Sequence, residues 1–225
     1  MNTKKINIAI DGPSGAGKST IAKILARELG FIYVDTGAMY RSIGLYMLRN
    51  CVDSTDLPAV QAALQGIEIN IAYVDGAQHI YLNGEDVSEL IRTEAVSKAA
   101  SAFSAIPEVR AFLLELQRGL AATNSVIMDG RDIGTVILPN AEVKIFLTAD
   151  DTARAERRYK ELIEKGQEVT FESVLENIRQ RDKNDSERAL APLKPAEDAI
   201  LVDTTKLDLM QSVEAMKSVI LEKMK

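Results

Sequence analysis

The sequence predicts an α/β chain, a parallel sheet flanked by helices and interrupted by a small antiparallel insertion. Short apolar runs alternate with helix-length stretches along most of the chain, as they do when both faces of a sheet are covered. A glycine-rich octet joins the first apolar run to the first helical stretch. Between residues 63 and 104 the rhythm changes to alternation punctuated by two turn signals. A chain of 225 residues has room for one such domain with insertions, or at most two small domains.

Five short strands are expected at residues 6–10, 31–34, 125–128, 143–147 and 199–202. Residues 18–29 follow the first strand as a helix. Ile21, Ile24, Leu25 and Leu29 share one of its faces, and Gly30 stops it. Further helices are predicted over 36–50, 109–122 and 151–165. Leu209, Val213, Met216 and Ile220 recur at helical spacing behind a possible Asp208 cap, which marks a docked C-terminal helix. In the exceptional segment Ile67, Ile69, Ile71 and Tyr73 alternate with polar or small residues. Asp75-Gly76 then makes a turn, Ile80 and Leu82 resume the alternation, and Asn83-Gly84 makes a second turn. Two such signals in sequence predict a three-stranded antiparallel meander, too small to fold without its host. The core is accordingly expected over 1–62 and 105–225, with the insertion at 63–104.

Composition removes whole classes of chemistry. Thirty-three acids against 27 bases leave a net charge of −6, a surface that repels polyanions, so no nucleic-acid partner is expected. Cys51 is the only cysteine and His79 the only histidine. An intramolecular disulfide and a multi-histidine metal site are therefore out of reach, and no cysteine-based metal site is expected. The apolar stretch before Asp11, about five residues long, is shorter than the roughly 7–15 of a signal core. No run approaches the ~18 apolar residues of a membrane span. A cytoplasmic protein with no membrane partner is expected.

The octet Gly12-Pro13-Ser14-Gly15-Ala16-Gly17-Lys18-Ser19 fits G-x-x-x-x-G-K-[ST] between strand and helix. Its glycines let backbone N–H groups converge on phosphate oxygens, and the helix N-terminus adds positive potential. Lys18 should reach the β- and γ-phosphates of ATP, and the Ser19 hydroxyl should bind Mg²⁺. Such a loop serves small-molecule kinases, GTPase switches and ATP-driven machines alike. A guanine-reading N-K-x-D is missing: Asp182-Lys183-Asn184-Asp185 begins with Asp and lies in a charged, helix-like stretch. The paired acids of a motor ATPase are missing too, since residues 125–129 supply only Asp129, followed by Gly130-Arg131. Arginines favour the kinase. Arg41, Arg110, Arg131, Arg154, Arg157, Arg158, Arg179, Arg181 and Arg188 all follow the loop in an acidic chain. Transfer between two nucleotides brings several negative charges together, and guanidinium groups neutralise phosphate bidentately.

Four segments carry a resemblance. The run Asp11 to Lys18, the segment Asp35-Thr36-Gly37-Ala38-Met39-Tyr40-Arg41, and Asp129-Gly130-Arg131-Asp132-Ile133-Gly134-Thr135 all resemble bacterial cytidylate kinases, P-loop nucleoside monophosphate kinases. So does the stretch from Arg181 to Arg188 with Ala191-Pro192-Leu193 after it. The likeness runs along essentially the whole chain, the hairpin insertion included. It implies a P-loop NTPase fold with a five-stranded parallel sheet, a monophosphate-binding insertion and a short lid at about 151–168. It implies transfer of the γ-phosphoryl of ATP to CMP, with dCMP as a second acceptor and Mg²⁺ as the metal; nothing in the sequence suggests an obligate interface, so a monomer is expected.

The resemblance also implies residue roles. Gly12 to Thr20, that is Gly12, Pro13, Ser14, Gly15, Ala16, Gly17, Lys18, Ser19 and Thr20, would hold ATP, with Arg154, Arg157 and Arg158 on the lid. Ser101, Arg110 and Asp132 match positions that read the cytosine edge. Asp185 with Arg181 matches a pair on the ribose hydroxyls. Arg41, Arg131 and Arg188 match arginines around the acceptor phosphate, with Tyr40 an aromatic neighbour. Thr36 stands where some relatives have Ser and keeps the hydroxyl. Lys18, Asp129, Arg131 and Arg188 are the catalytic candidates. No strong general base is needed, because a nucleotide 5′-phosphate is largely a dianion near neutral pH. The alternatives are a kinase for another small acceptor and a nucleotide-dependent regulatory switch.

Overall fold

The computed structural model describes residues 5–74 and 77–224. Lys4 and the Asp75-Gly76 turn signal lie outside the described residues. The main sheet holds β1 (Asn7–Asp11), β2 (Ile32–Asp35), β6 (Val126–Gly130), β7 (Val143–Thr148) and β8 (Ile200–Asp203). It is parallel, in the order β2-β6-β1-β7-β8. Central β1 and β6 are almost wholly buried, which is why their sequences are continuous apolar runs rather than alternating ones. The register sets Ile10 beside Asp129 and Asp11 beside Gly130 on one side, and Asp11 beside Phe146 on the other. The carboxyl ends of the three central strands therefore open together, where doubly wound sheets bind ligands.

The helices cover this sheet through apolar stripes. Helix α1 (Lys18–Leu29) buries Ile21 and Leu25 against Ile8, Ile127, Val143 and Ile145. Each such side chain contributes roughly 1.5–3 kcal/mol when fully buried. The C-terminal helix α8 (Leu209–Lys223) adds Val213, Met216 and Ile220 to that core. Its start is a capping box: Asp208 accepts from the Gln211 N–H, and the Gln211 side chain accepts from the Asp208 N–H. Leu209, expected on the apolar stripe, is exposed in the first turn, before the helix meets the sheet. Helices α6 (Asp151–Glu164) and α7 (Phe171–Glu187) form a hairpin around Ala155, Val174 and Ile178, with Tyr159 edge-on to Phe171.

The chain forms two compact units. The first comprises Met1–Tyr33 and Asn124–Lys225, and holds the elements above except the second half of β2. The second, Val34–Thr123, contains α2 (Thr36–Arg49), α3 (Leu57–Leu64), the antiparallel strands β3 (Ile69–Val74), β4 (Ala77–Leu82) and β5 (Glu85–Asp86), α4 (Glu94–Phe103) and α5 (Pro107–Thr123). It is larger than the 63–104 segment where the pattern changes, because α2 packs directly on α4. Gly44 allows this: a Cβ there would stand 2.8 Å from the Ala100 backbone nitrogen. The second hairpin turn has Asn83 and Gly84 at φ 50° and 84°, as a type I′ turn demands. His79 sits beside Asp86 across β4 and β5, with Nδ1 2.8 Å from the carboxylate, within the sheet.

Helices α3 and α4 were not anticipated from sequence, although Asp56 and Thr93 cap them. A turn of π-helix at Ile133–Ile137 was also not anticipated. Among the described residues no helix is long and apolar enough to cross a membrane.

Candidate active site

The phosphate loop leaves the end of β1 and enters α1. Gly12 has φ 151°, and a Cβ there would meet the Leu147 carbonyl oxygen at 2.0 Å, so only glycine lets this backbone pass β7. Lys18 Nζ folds back over the loop and donates to the Pro13 carbonyl at 2.8 Å. Only 6% of the residue is exposed. Burial, and then the Arg131 cation, push its pKa down to about 7, against the pull of Asp129 and Asp185. A cation held dry beside another cation is a receptor for anions.

Ser19, next in the chain, donates its hydroxyl to Asp129 Oδ2 at 2.8 Å. Tyr33 donates to Asp129 Oδ1 at 2.8 Å, and Lys23 Nζ lies 5.5 Å over the Tyr33 ring. Asp129 thus accepts the hydrogen bond of the Ser19 hydroxyl and leaves that oxygen's lone pairs directed elsewhere. Hard oxygens of this kind fit Mg²⁺, which takes one or two protein ligands and fills its shell with water and phosphate. Among the described residues no group of three or more His, Cys, Asp or Glu side chains forms an all-protein cage.

Arg131 and Asp132 follow β6. Arg131 Nε donates to Asp185 Oδ2 at 2.7 Å. Burial alone would lower the guanidinium's pKa, but the Asp185 carboxylate, with Asp129 and Asp182, outweighs it and holds the pKa up. Asp185 is buried on α7. Burial would raise its pKa, yet Arg131, Arg188 and Arg181 together hold it down. Arg188 Nη1 lies 4.0 Å from Asp185 Oδ1, and its Nε donates to the Ala191 carbonyl at 2.8 Å. Lys18, Arg131, Asp129, Asp185 and Arg188 are therefore one electrostatic group, with Arg181 on the same helix. Asp132 is buried at the start of the π turn.

The three arginines expected on a lid have different surroundings. Arg154 is buried, and donates to the Ala149 and Ser14 carbonyls, each at 2.9 Å. Its Nη2 meets Asp182 on α7 at 2.6 Å. Arg154 therefore braces the phosphate loop from α6. Arg157 donates to the Thr204 carbonyl after β8. Arg158 pairs with Glu161 at 2.8 Å on the helix surface.

The second unit carries the other predicted residues. Asp35 caps α2 by accepting from the Ala38 N–H at 2.8 Å, and its other oxygen meets Arg41 Nη2 at 3.1 Å. Thr36 is buried in the first turn of α2. Arg110, on α5, lies 5.8 Å over the Tyr40 ring and donates to the Ser104 carbonyl at the end of α4, which carries Ser101. Within this unit the structure brings Tyr40 and Arg110 together, and sets Arg41 on the Asp35 cap. Sequence reasoning gave no role to Asp35, Tyr33 or Asp182. Asp35 had a signal, an acid between a strand and a helix; Tyr33 and Asp182 had none.

Comparison with known proteins accords with this geometry. The sequence pattern of the family described as cytidylate kinase matches residues 8–222. A cytidylate kinase of Caldicellulosiruptor saccharolyticus is 54% identical over 211 residues, 94% of this chain and 93% of that one. A cytidylate kinase of Bacillus subtilis is 47% identical over 208 residues, 92% of this chain and 93% of that one. In fold alone, the crystal structure of an uncharacterized protein from Eubacterium ventriosum is similar, with a TM-score of 0.50 at 15% identity over 97% of each chain. By its motifs and by this likeness along nearly its whole length, the chain belongs to the cytidylate kinase family, phosphotransferases that act on CMP with ATP as the phosphoryl donor.

Proposed function

We propose that the chain transfers the γ-phosphoryl of ATP in line to CMP and dCMP in a Mg²⁺-dependent reaction, as a cytoplasmic monomer with no nucleic-acid or membrane partner. The observation that carries this reading is the buried Lys18, whose pKa is depressed by burial first and by the neighbouring Arg131 cation second. Two nucleotides meeting for transfer would supply the anions that such a pair lacks.

In this reading Gly12 to Thr20 cradle the ATP phosphates, Lys18 meets the β- and γ-phosphates, and Ser19 holds Mg²⁺ while Asp129 orients its hydroxyl. The bound ion would neutralise charge on the phosphates. Arg131 and Arg188 take the acceptor phosphate and the moving phosphoryl, together with Arg41. Asp185 and Arg181 turn to the ribose hydroxyls. Thr36 and Tyr40 flank the acceptor, and Ser101, Arg110 and Asp132 read the cytosine edge. Segment 63–104 serves the monophosphate, and 151–168 is the lid. Arg158, on the helix surface, is the arginine of this segment placed to meet a nucleotide, while Arg154 acts on ATP through the loop it braces.

The test is ADP release with Mg-ATP and, singly, CMP, dCMP, UMP, AMP or GMP. Strong turnover with CMP and dCMP is expected. Equal, slow release whatever the acceptor would point instead to a regulatory switch.

A further inference from the structure

Asp11 is the last residue of β1 and directly precedes the phosphate loop. Its side chain turns away from that loop. Oδ1 accepts from the Ile133 N–H at 2.7 Å, and Oδ2 from the Gly134 N–H at 2.8 Å. These are the first amides of the π turn, which have no partner inside their own turn. The turn then closes through the Asp132 and Ile133 carbonyls, which accept from Ile137 and Leu138. Gly134 leaves room for the carboxylate: a Cβ there would lie 3.4 Å from Asp11 Oδ2 and 3.2 Å from Lys144 Cδ. One buried side chain thus joins the root of the phosphate loop to the backbone just after Arg131 and Asp132.

We propose that Asp11 is a positioning residue for the acceptor, fixing through the Ile133 and Gly134 amides the backbone that presents Arg131 and Asp132. The inference rests on the reading in which Arg131 meets the acceptor phosphate and Asp132 the cytosine edge. The energetics favour a functional role over a purely structural one. Burial pushes the Asp11 carboxyl up to about 6 even though two N–H groups pull it down, and the Asp132 charge raises it further. An ionised group is therefore kept there at a cost to folding. An asparagine would fill the same space without that cost, but its NH₂ would face one of the two N–H groups and release it.

Asp11→Asn is expected to raise KM for CMP about tenfold while KM for ATP changes less than about threefold, with a melting temperature close to that of the unsubstituted enzyme. If Asp11→Asn does not fold, Asp11→Ser, which removes the charge and leaves one short acceptor for the two amides, should give the same split. KM for CMP unchanged in the folded variant, or KM for CMP and ATP rising in equal proportion, overturns the inference. Asp132→Asn is measured alongside. If it keeps both the KM for CMP and the preference of CMP over UMP, the reading fails and the inference falls with it. If it loses both while Asp11→Asn is unaffected, the inference alone falls.

Discussion

At the scale of single residues, the site is organised by charges that burial makes responsive. Lys18 shows this most directly. With its pKa down to about 7, the free side chain is mostly neutral at pH 8, and phosphate oxygens would restore the charged form. Nucleotide binding at pH 8 should therefore take up protons, approaching roughly one per ATP. Titration calorimetry in buffers of different ionisation enthalpy measures this directly. Lys18→Met should abolish the uptake and lower kcat by about two to three orders of magnitude; uptake that survives the substitution assigns the proton elsewhere. The same shift has a consequence for stability. Between about pH 7 and the ordinary 10.5, the unfolded chain binds more protons at this residue than the folded one. Its contribution to stability therefore grows as pH rises through that window. Asp129 acts by a different principle, since it spends both oxygens on the Ser19 and Tyr33 hydroxyls and so fixes where the serine's lone pairs point.

At the scale of elements, close backbone approach decides what the second unit can be. Helix α2 carries Thr36, Tyr40 and Arg41, and it lies on α4 at Gly44. A methyl group there would be 2.8 Å from the Ala100 nitrogen and 3.1 Å from the Val96 carbonyl oxygen, both backbone atoms that cannot rotate aside. Gly44→Ala should thus destabilise the protein by about 1–3 kcal/mol, despite alanine's better helix propensity. It should also raise KM for CMP while leaving nucleotide binding at the phosphate loop intact. Urea unfolding and ATP titration check the two halves of this expectation, and a more stable variant would mean the helices can part at little cost. Helix α6 has the opposite character. Its Arg154 reaches the Ser14 carbonyl and Asp182 at once, so α6, α7 and the phosphate loop are tied through one guanidinium.

At the scale of the whole molecule, sign of charge separates the site from the surface. The chain carries a net charge of −6, yet Lys18 and Arg154, both buried, and the partly buried Arg131 are gathered around the phosphate loop and α7. A small polyphosphate can enter such a field, whereas a long polyanion must also face the acidic exterior. Single-stranded RNA of about twenty nucleotides should accordingly show no binding tighter than roughly 100 µM at physiological salt, the weak end of non-specific association. A fluorescence-anisotropy titration decides it, and tight, salt-sensitive binding would overturn the exclusion drawn from composition.

What the sequence determined by itself is what local chemistry encodes. The strands of the main sheet announce themselves as apolar runs, α1 by its stripe and its Gly30 stop, and the phosphate loop by glycines whose spacing has one good physical use. The resemblance adds the family, and with it CMP as acceptor and ATP as donor. Some local signals point to helices that the pattern reading does not include: Asp56 with Pro58 starts α3 in a stretch given no element, and Thr93 with Glu94 starts α4 within the segment read as a meander. Only the tertiary structure decided the contacts between distant positions. Ser19 and Asp129 are 110 residues apart, and Asp11 and Ile133 are 122 apart. No periodicity couples such positions. They meet because β6 pairs beside β1 in a parallel sheet, and the strand order that sets them together is a property of the packed core rather than of any stretch of sequence.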